Sequence, residues 1–186
     1  MAYDRTPWLR SIAKCAVLAE RWFGTPATKC IAHAAVESAW GRDSIGNNHF
    51  GMKKVERHAM SRDVITHEWL TPAEAEVQQK RGKKLVKAEP PGPPPSSGEE
   101  YYRLVDTFAD YPSMQDSVND WAWLLSQNPL YFRSWQAFQG SKDPDAWVVG
   151  YMKIYATANK ALLVNQISRQ QNVVQAVVQA RKELEA

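Results

Sequence analysis

The stretch from Thr25 to Lys53, TPATKCIAHAAVESAWGRDSIGNNHFGMK, constrains this chain more than any other. Thr25 reads as an N-cap and Pro26 as the first helical residue, where a missing N–H costs nothing because that donor has no intrahelical partner. Ala27, Cys30, Ile31, Ala34, Ala35 and Ser38 then recur at helical spacing. All are small or apolar, so that face can press closely against neighbouring helices. Gly41 is expected to end the run, which leaves Glu37 in the last turn before an irregular segment.

A carboxylate at a helix C-terminus meets the negative end of the macrodipole and gains no help in staying ionised. If Trp40, Ile45 and Phe50 fold over Glu37, desolvation acts in the same direction, so its pKa is expected to rise. A carboxyl that holds its proton near neutrality is what a general acid requires. Position alone leaves a second reading open, that of an ordinary helix-surface glutamate.

The string Glu37-Ser38-Ala39-Trp40-Gly41, followed by Ile45, Gly46, Asn47, Asn48, Phe50, Gly51, Met52 and Lys53, resembles the signature of the family 73 glycoside hydrolases, the bacterial and phage glucosaminidases. Weaker similarity runs through Thr66–Trp69, Tyr102–Phe108, Asn128–Tyr131 and Tyr155–Thr157. The resemblance implies a mostly α-helical α+β fold, lysozyme-like and two-lobed, with a small antiparallel β-lobe. It also implies hydrolysis of peptidoglycan at the β-1,4 bond after N-acetylglucosamine, with Glu37 as general acid.

Glycoside cleavage normally needs a second carboxyl group, as nucleophile or as base toward water. Glu68, in the extended segment VITHEWL, is similar to an acidic residue of the family's β-lobe and is favoured over Glu56 and Asp63. Its position on a strand suggests a gap wide enough for a water, or an orienting role toward the substrate's own acetamido group. Tyr155 resembles the tyrosine of the family's Gly-Tyr-Ala-Thr-Asp-Pro motif, although Ile154 and Ala158 depart from that pattern. Trp40, Asn48, Phe50, Trp69 and Tyr155 are the expected substrate-binding residues, and Trp147 is a further ring for stacking on sugar faces.

The chain has 186 residues, 44% of them hydrophobic, enough for one catalytic domain with a sizeable core. A formal charge of +3 is too mild to argue for nucleic acid, yet suits a partner that carries carboxylates or phosphates, such as cell-wall glycan strands. Lys14, Glu20 and Arg21 interrupt any secretory apolar run, and no membrane-spanning stretch is present. Action on the cell wall therefore calls for release by lysis, carriage in a virion, a secretion machine, or a leader removed beforehand. A monomer is expected.

From the N-terminus, Thr6 as cap and Pro7 open an amphipathic helix with Trp8, Ile12, Cys15, Leu18 and Ala19 on one face, ending near Gly24. Cys15 and Cys30 fall on two helices and read as buried thiols. A β-lobe insertion of about 49–108 contains strands at Val64–Leu70 and Tyr101–Phe108, with a capping box at Thr71 and Glu74 opening a short helix to about Lys80. The basic run KRGKKLVK follows, then the proline-rich stretch EPPGPPPSSGEE. This stretch cannot bury a core and predicts a flexible loop over about 88–100. Further on, Ser113 with Asp116, Asn128-Pro129 and Asp143-Pro144 mark three helix starts. A last helix runs from about Asn159 toward Ala186, with Leu162, Leu163, Ile167, Val174 and Val177 facing the core.

Other chemistries lack their residues. His33, His49, His58 and His67 form no HExxH, and with two distant cysteines there is no metal ligand set. No GxSxG, phosphate-binding glycine loop or catalytic cysteine context occurs, and no cofactor is called for. Lytic transglycosylases also carry Glu-Ser at a helix end, but they continue differently from GNNHFGMK. Two alternatives stay open: an N-acetylmuramidase that cuts the neighbouring bond, and a catalytically silent glycan-binding component of a phage tail or injection device.

Overall fold

The computed structural model describes residues 3–155 and 158–186. The chain divides into two compact units, Met1–Met52 with Tyr111–Ala186, and Lys53–Asp110. The first is helical: α1 (Thr6–Phe23), α2 (Ala27–Ser38), α4 (Met114–Gln127), α5 (Phe132–Ser141), α6 (Pro144–Tyr155), α7 (Ala158–Ser168) and α8 (Gln171–Glu185). The second holds β1 (Ser61–Leu70), α3 (Pro72–Lys80), β2 (Val86–Lys87) and β3 (Glu100–Ala109).

Helix α1 buries Trp8, Ile12, Ala16 and Ala19, while Cys15 and Leu18 of the expected face are only half-buried. Thr6 does not cap it: Arg5 takes the N-cap position without a side-chain bond, while Asp4 accepts the Thr6 N–H at 2.9 Å, and Gly24 ends the helix as the sequence suggested. Helix α2 is covered on nearly every side, with Lys29 and His33 buried beside its alanines. Cys15 and Cys30 are free thiols, and burial pushes the Cys15 thiol up to about 11.

Thr25 does not cap α2. It is buried, its Oγ1 has no partner among the described residues, and Pro26 takes the N-cap position. Glu20 does the capping from the preceding helix: its Oε1 accepts the Ala27 N–H at 3.0 Å while its Oε2 meets Arg181 of α8 at 2.5 Å. A capping carboxylate on a longer side chain from another element leaves no pattern at the helix start itself.

Ser113 and Asp143 act as the sequence implied, Ser113 Oγ accepting the Asp116 N–H and Asp143 Oδ1 accepting those of Asp145 and Ala146. Asn128 instead makes a turn, its Oδ1 accepting the Leu130 N–H at 2.9 Å, and α5 begins only at Phe132. The single last helix is broken in two. Arg169 and Gln170 donate to the Gln166 and Ile167 carbonyls in tight turns that end α7, and α8 restarts with a new rotational phase. Leu162, Leu163 and Val174 are consequently exposed, whereas Ala161, Val164, Ile167, Val173, Val177 and Ala180 are buried.

The break coincides with the solution to a buried charge. Lys29 Nζ donates to Asp145, to Asn165 Oδ1 at 2.9 Å and to Ser168 Oγ at 2.7 Å, so the end of α7 supplies two of its partners. An ammonium withdrawn from water needs such a set, because burial alone disfavours its charged form.

In the second unit β1 and β3 pair antiparallel over ten residues, from Ser61 with Ala109 to Leu70 with Glu100, and β2 adds to the other edge of β3. The capping box of α3 is complete, with Thr71 and Glu74 exchanging side-chain and backbone bonds. Strand β2, inside the basic run, is an element that the two-residue segment was too short to announce. Residues 90–98 of the proline-rich loop are exposed.

The end of α2 sets the geometry that matters most below. The helix stops at Ser38, three residues before Gly41, because Ala39 and Trp40 already turn left-handed (φ 47° and 63°) and Gly41 follows at 86°. Side chains with a Cβ avoid that region, at a cost of about 1–3 kcal/mol each, so the turn persists only because its surroundings hold it. Trp40 N–H reaches the Ala35 carbonyl at 3.0 Å, Asp43 N–H the Ser38 carbonyl at 2.9 Å, and Gly41 N–H the Ser38 hydroxyl at 2.9 Å. A Cβ on Gly41 would lie 2.1 Å from the Trp8 ring. Gly41→Ala should therefore lower unfolding stability by about 2–4 kcal/mol, from strain and clash together. A denaturant titration with an unchanged midpoint would contradict this account of the turn.

Candidate active site

Glu37 stands in the last turn of α2, its side chain 13% exposed, and its neighbours are cationic or polar. Both carboxylate oxygens accept from Lys160 Nζ of α7 at 2.9 Å. On the other side His33, one turn back on the same helix, places Nε2 3.6 Å from Oε1, an electrostatic contact longer than a hydrogen bond.

The protonation of His33 follows from its partners. Trp121 of α4 donates its indole N–H to His33 Nδ1 at 2.8 Å. Indole nitrogen only donates, so Nδ1 carries no proton and Nε2 does. Full burial holds the imidazole below its ordinary pKa, which agrees with a neutral ring. His33 therefore turns an N–H dipole, not a full charge, toward Glu37.

The expectation of a raised Glu37 pKa is not met. Burial does push the carboxyl up, but the His33 N–H and the Lys160 ammonium together hold it below its usual value. With His33 neutral, Lys160 brings the full positive charge of the pair and the His33 N–H adds a dipole in the same direction. Lys160 stands 123 residues from Glu37 in sequence, so no local spacing points it at that carboxyl. Ala156 and Thr157 of the Tyr-Ala-Thr motif lie outside the described residues.

The loop after α2 is built from the inside. Asn48 is buried and bridges its own turn, Oδ1 accepting the Met52 N–H at 3.0 Å and Nδ2 donating to the Met52 carbonyl at 2.9 Å. Phe50 is 1% exposed and stacks on Trp121 with centroids 5.1 Å apart. Neither presents a face to a sugar, so both of these expected substrate contacts are instead supports of the loop. Asn47 donates to the Tyr111 and Pro112 carbonyls, and Ile45 bridges to Asn48. Half-buried Tyr155 donates its hydroxyl to the Phe50 carbonyl at 2.8 Å and sets its ring edge-on to His33 at 4.7 Å.

Trp40, half-buried, meets Trp8 edge-on at 5.9 Å and carries the Arg5 guanidinium 4.1 Å over its ring. Beneath it Trp8 donates to His49 Nδ1 at 3.4 Å, and burial pushes His49 down to about 4. Trp147 is not a sugar platform. It is 2% exposed, enclosed by Trp121, Trp135, Phe138 and Tyr151.

In the second unit Glu68 pairs with Tyr102 across β1 and β3, on the face that also carries Asp106. It is partly exposed, with Lys53 Nζ 4.0 Å away. Trp69 and His67 gather around Tyr101 at 5.0 and 5.4 Å and leave aromatic surface partly open. Glu56 is exposed, and Asp63 accepts from Thr107 at 2.7 Å. Among the described residues no cluster of His, Cys, Asp and Glu could hold a metal ion, and no helix is long and apolar enough to cross a membrane.

Comparison with known proteins gives this arrangement a context. The catalytic domain of the autolysin Auto from Listeria monocytogenes superposes with a TM-score of 0.63 at 22% identity, covering 95% of this chain and 90% of that one. A glycoside hydrolase domain from Salmonella typhimurium FlgJ gives 0.60 at 21%, covering 90% and 97%. A peptidoglycan hydrolase mutant from Sphingomonas sp. A1 gives 0.64 at 19%, covering 93% and 98%. These likenesses establish a shared lysozyme-like fold. Comparison with curated protein sequences finds no match. A family profile, glucosaminidase, described as mannosyl-glycoprotein endo-beta-N-acetylglucosaminidase, matches residues 13–170, from within α1 to the turn after α7. With most of its length so matched, the chain belongs to the glucosaminidase family and is a glycoside hydrolase.

Proposed function

We propose that this enzyme hydrolyses bacterial peptidoglycan at the β-1,4 bond that follows N-acetylglucosamine, acting on the cell wall with Glu37 as the general acid. The observation that carries the reading is the fixed setting of Glu37: a carboxyl at the end of a buried helix, backed by a neutral His33 and faced by Lys160. Peptidoglycan as substrate is supported by the named activities of proteins that share the fold.

The chemistry needs Glu37 to give a proton to the leaving glycosidic oxygen. Lys160 opposes this step by holding the free carboxylate ionised, so substrate binding that displaces the ammonium from Glu37 would return the carboxyl to its desolvated, more basic state. His33 is a positioning residue whose N–H keeps Oε1 in place. Glu68 is the second carboxylate, acting as base toward water or orienting the acetamido group. Trp40, Trp69 and Tyr155 offer the aromatic surface for sugar rings, and Asn48 and Phe50 shape the loop beneath.

Bond choice is tested by reducing digested peptidoglycan with borohydride and analysing the fragments by mass spectrometry. Reduced glucosamine is expected, whereas reduced muramic acid would assign a muramidase and anhydro-muramic ends a transglycosylase. Glu37→Gln should keep the fold and lose lytic activity in a turbidity assay, and Glu68→Gln should slow turnover severely where Glu56→Gln does not. Full activity in Glu37→Gln would sink the assignment.

Lys160 gives a pH dependence with a definite sign. The Glu37 pKa is lowered, so the pair stabilises the fold above the ordinary glutamate pKa and loses that contribution as pH falls through the lowered value. Lys160→Met leaves only the His33 N–H against burial, raises the pKa, and should move the alkaline limb of the activity profile upward by roughly 1 pH unit. An unmoved limb would remove Lys160 from this role.

A further inference from the structure

The strand unit contains a groove of about 790 Å³ whose lining, Glu68 excepted, has no part in the reaction described above. Its lining brings together Lys53, Lys54, Arg81, Lys83 and Lys84. This is the basic run of the sequence, joined in space by Lys53 and Lys54 at the start of the same unit. Two acids, Glu68 and Asp106, also line it, and they differ in what they offer. Asp106 points inward on β3 with its side chain 2% exposed, and it binds the ammonium groups of both Lys53 and Lys83. Those two cations hold its carboxyl below its usual value against burial.

Asp106 thus works as an anchor. It fixes two ammonium groups at the groove while their side chains stay 48% and 28% exposed, and Lys53 is held further by the Phe108 ring 4.1 Å below its Nζ. Lys54, Arg81 and Lys84 form no ion pair among the described residues and are free to meet a ligand's charge. A concavity of this size takes a group of several residues, larger than a lone ion. Gln78, in the same wall, has a buried Oε1 without a partner among the described residues. A turn of that side chain offers the oxygen to a ligand N–H, a donor that peptides carry and phosphates lack.

From fixed cations, free cations and an unmatched acceptor in one groove, we infer that it binds a short acidic peptide carried on the glycan strand, engaging its free carboxylates. The inference rests on the peptidoglycan reading, because that polymer bears peptide branches beside the bond to be cut. The groove then selects where along a strand the enzyme settles.

The test uses the full chain with Glu37→Gln as a non-cleaving binder and soluble, uncrosslinked glycan strands in three forms: with peptides intact, with peptides removed by an amidase, and with peptide carboxyls converted to amides. Calorimetry at low salt should show intact strands binding about threefold to tenfold more tightly than either other form. Adding Arg81→Gln with Lys84→Gln, which leaves the Asp106 anchor untouched, should erase that preference without changing affinity for stripped strands or the melting temperature. A preference that survives the double change, an equal loss on stripped strands, or no preference at the outset would overturn the proposal. Displacement of bound strands by inorganic phosphate but not by an acidic peptide would overturn it as well. Wall digestion by the unaltered enzyme is scored separately, so its failure would count against the glucosaminidase reading and leave the binding comparison intact.

Discussion

One hydrogen bond in the helical unit fixes the chemistry around it, the bond from the Trp121 indole to His33. An indole that only donates forces the imidazole to accept at Nδ1, and the remaining proton must then sit on Nε2, facing Glu37. The rings that surround His33 make this arrangement hard to leave. Tyr151 stacks on it at 5.6 Å, and Phe50 and Tyr155 meet it edge-on at 5.7 and 4.7 Å. The Glu37 loop depends on the same cluster, since Phe50 belongs to both and its carbonyl is held by Tyr155. A change at Trp121 would reach the tautomer, the loop and the carboxyl at once.

Buried charge is handled alike in three places, each time by more than one partner. Lys29 has three acceptors, Asp106 has two ammonium groups, and Glu37 has Lys160 with the His33 dipole beside it. Removing one partner from such a set leaves an uncompensated charge, which costs more than the intact set contributes. The first two sets lie within scaffold and stay satisfied. The third is the exception, because the Lys160 side chain that supplies its cation is 41% exposed and open to solvent.

The pattern of the sequence made much of this legible. Small residues at helical spacing before Glu37, the capping box at Thr71, the Ser113 and Asp143 caps and the β-branched and aromatic residues of Tyr101–Phe108 each express a local rule, and each element formed, although α2 starts and stops inside the expected bounds. What escaped depended on partners distant in the chain. Glu20 capping α2 from another helix, Lys160 helping to hold the pKa of Glu37 down, and the fate of Trp147 all arise from contacts that no local spacing encodes. Asn48 and Phe50 show the complementary error. A motif marks residues that a site needs, but it does not distinguish those that touch substrate from those that hold up the loop.

The proline-rich loop between β2 and β3 has a consequence for how such an enzyme can be elaborated. Strand register in this unit is set by the ten-residue match of β1 with β3, and the loop joins β3 to a two-residue strand on the other edge. Lengthening it adds only slowly growing closure entropy and moves no buried residue. It is thus a natural port, where a tag, a wall-anchoring module or a reporter could be spliced in while the carboxyl-bearing helix stays undisturbed.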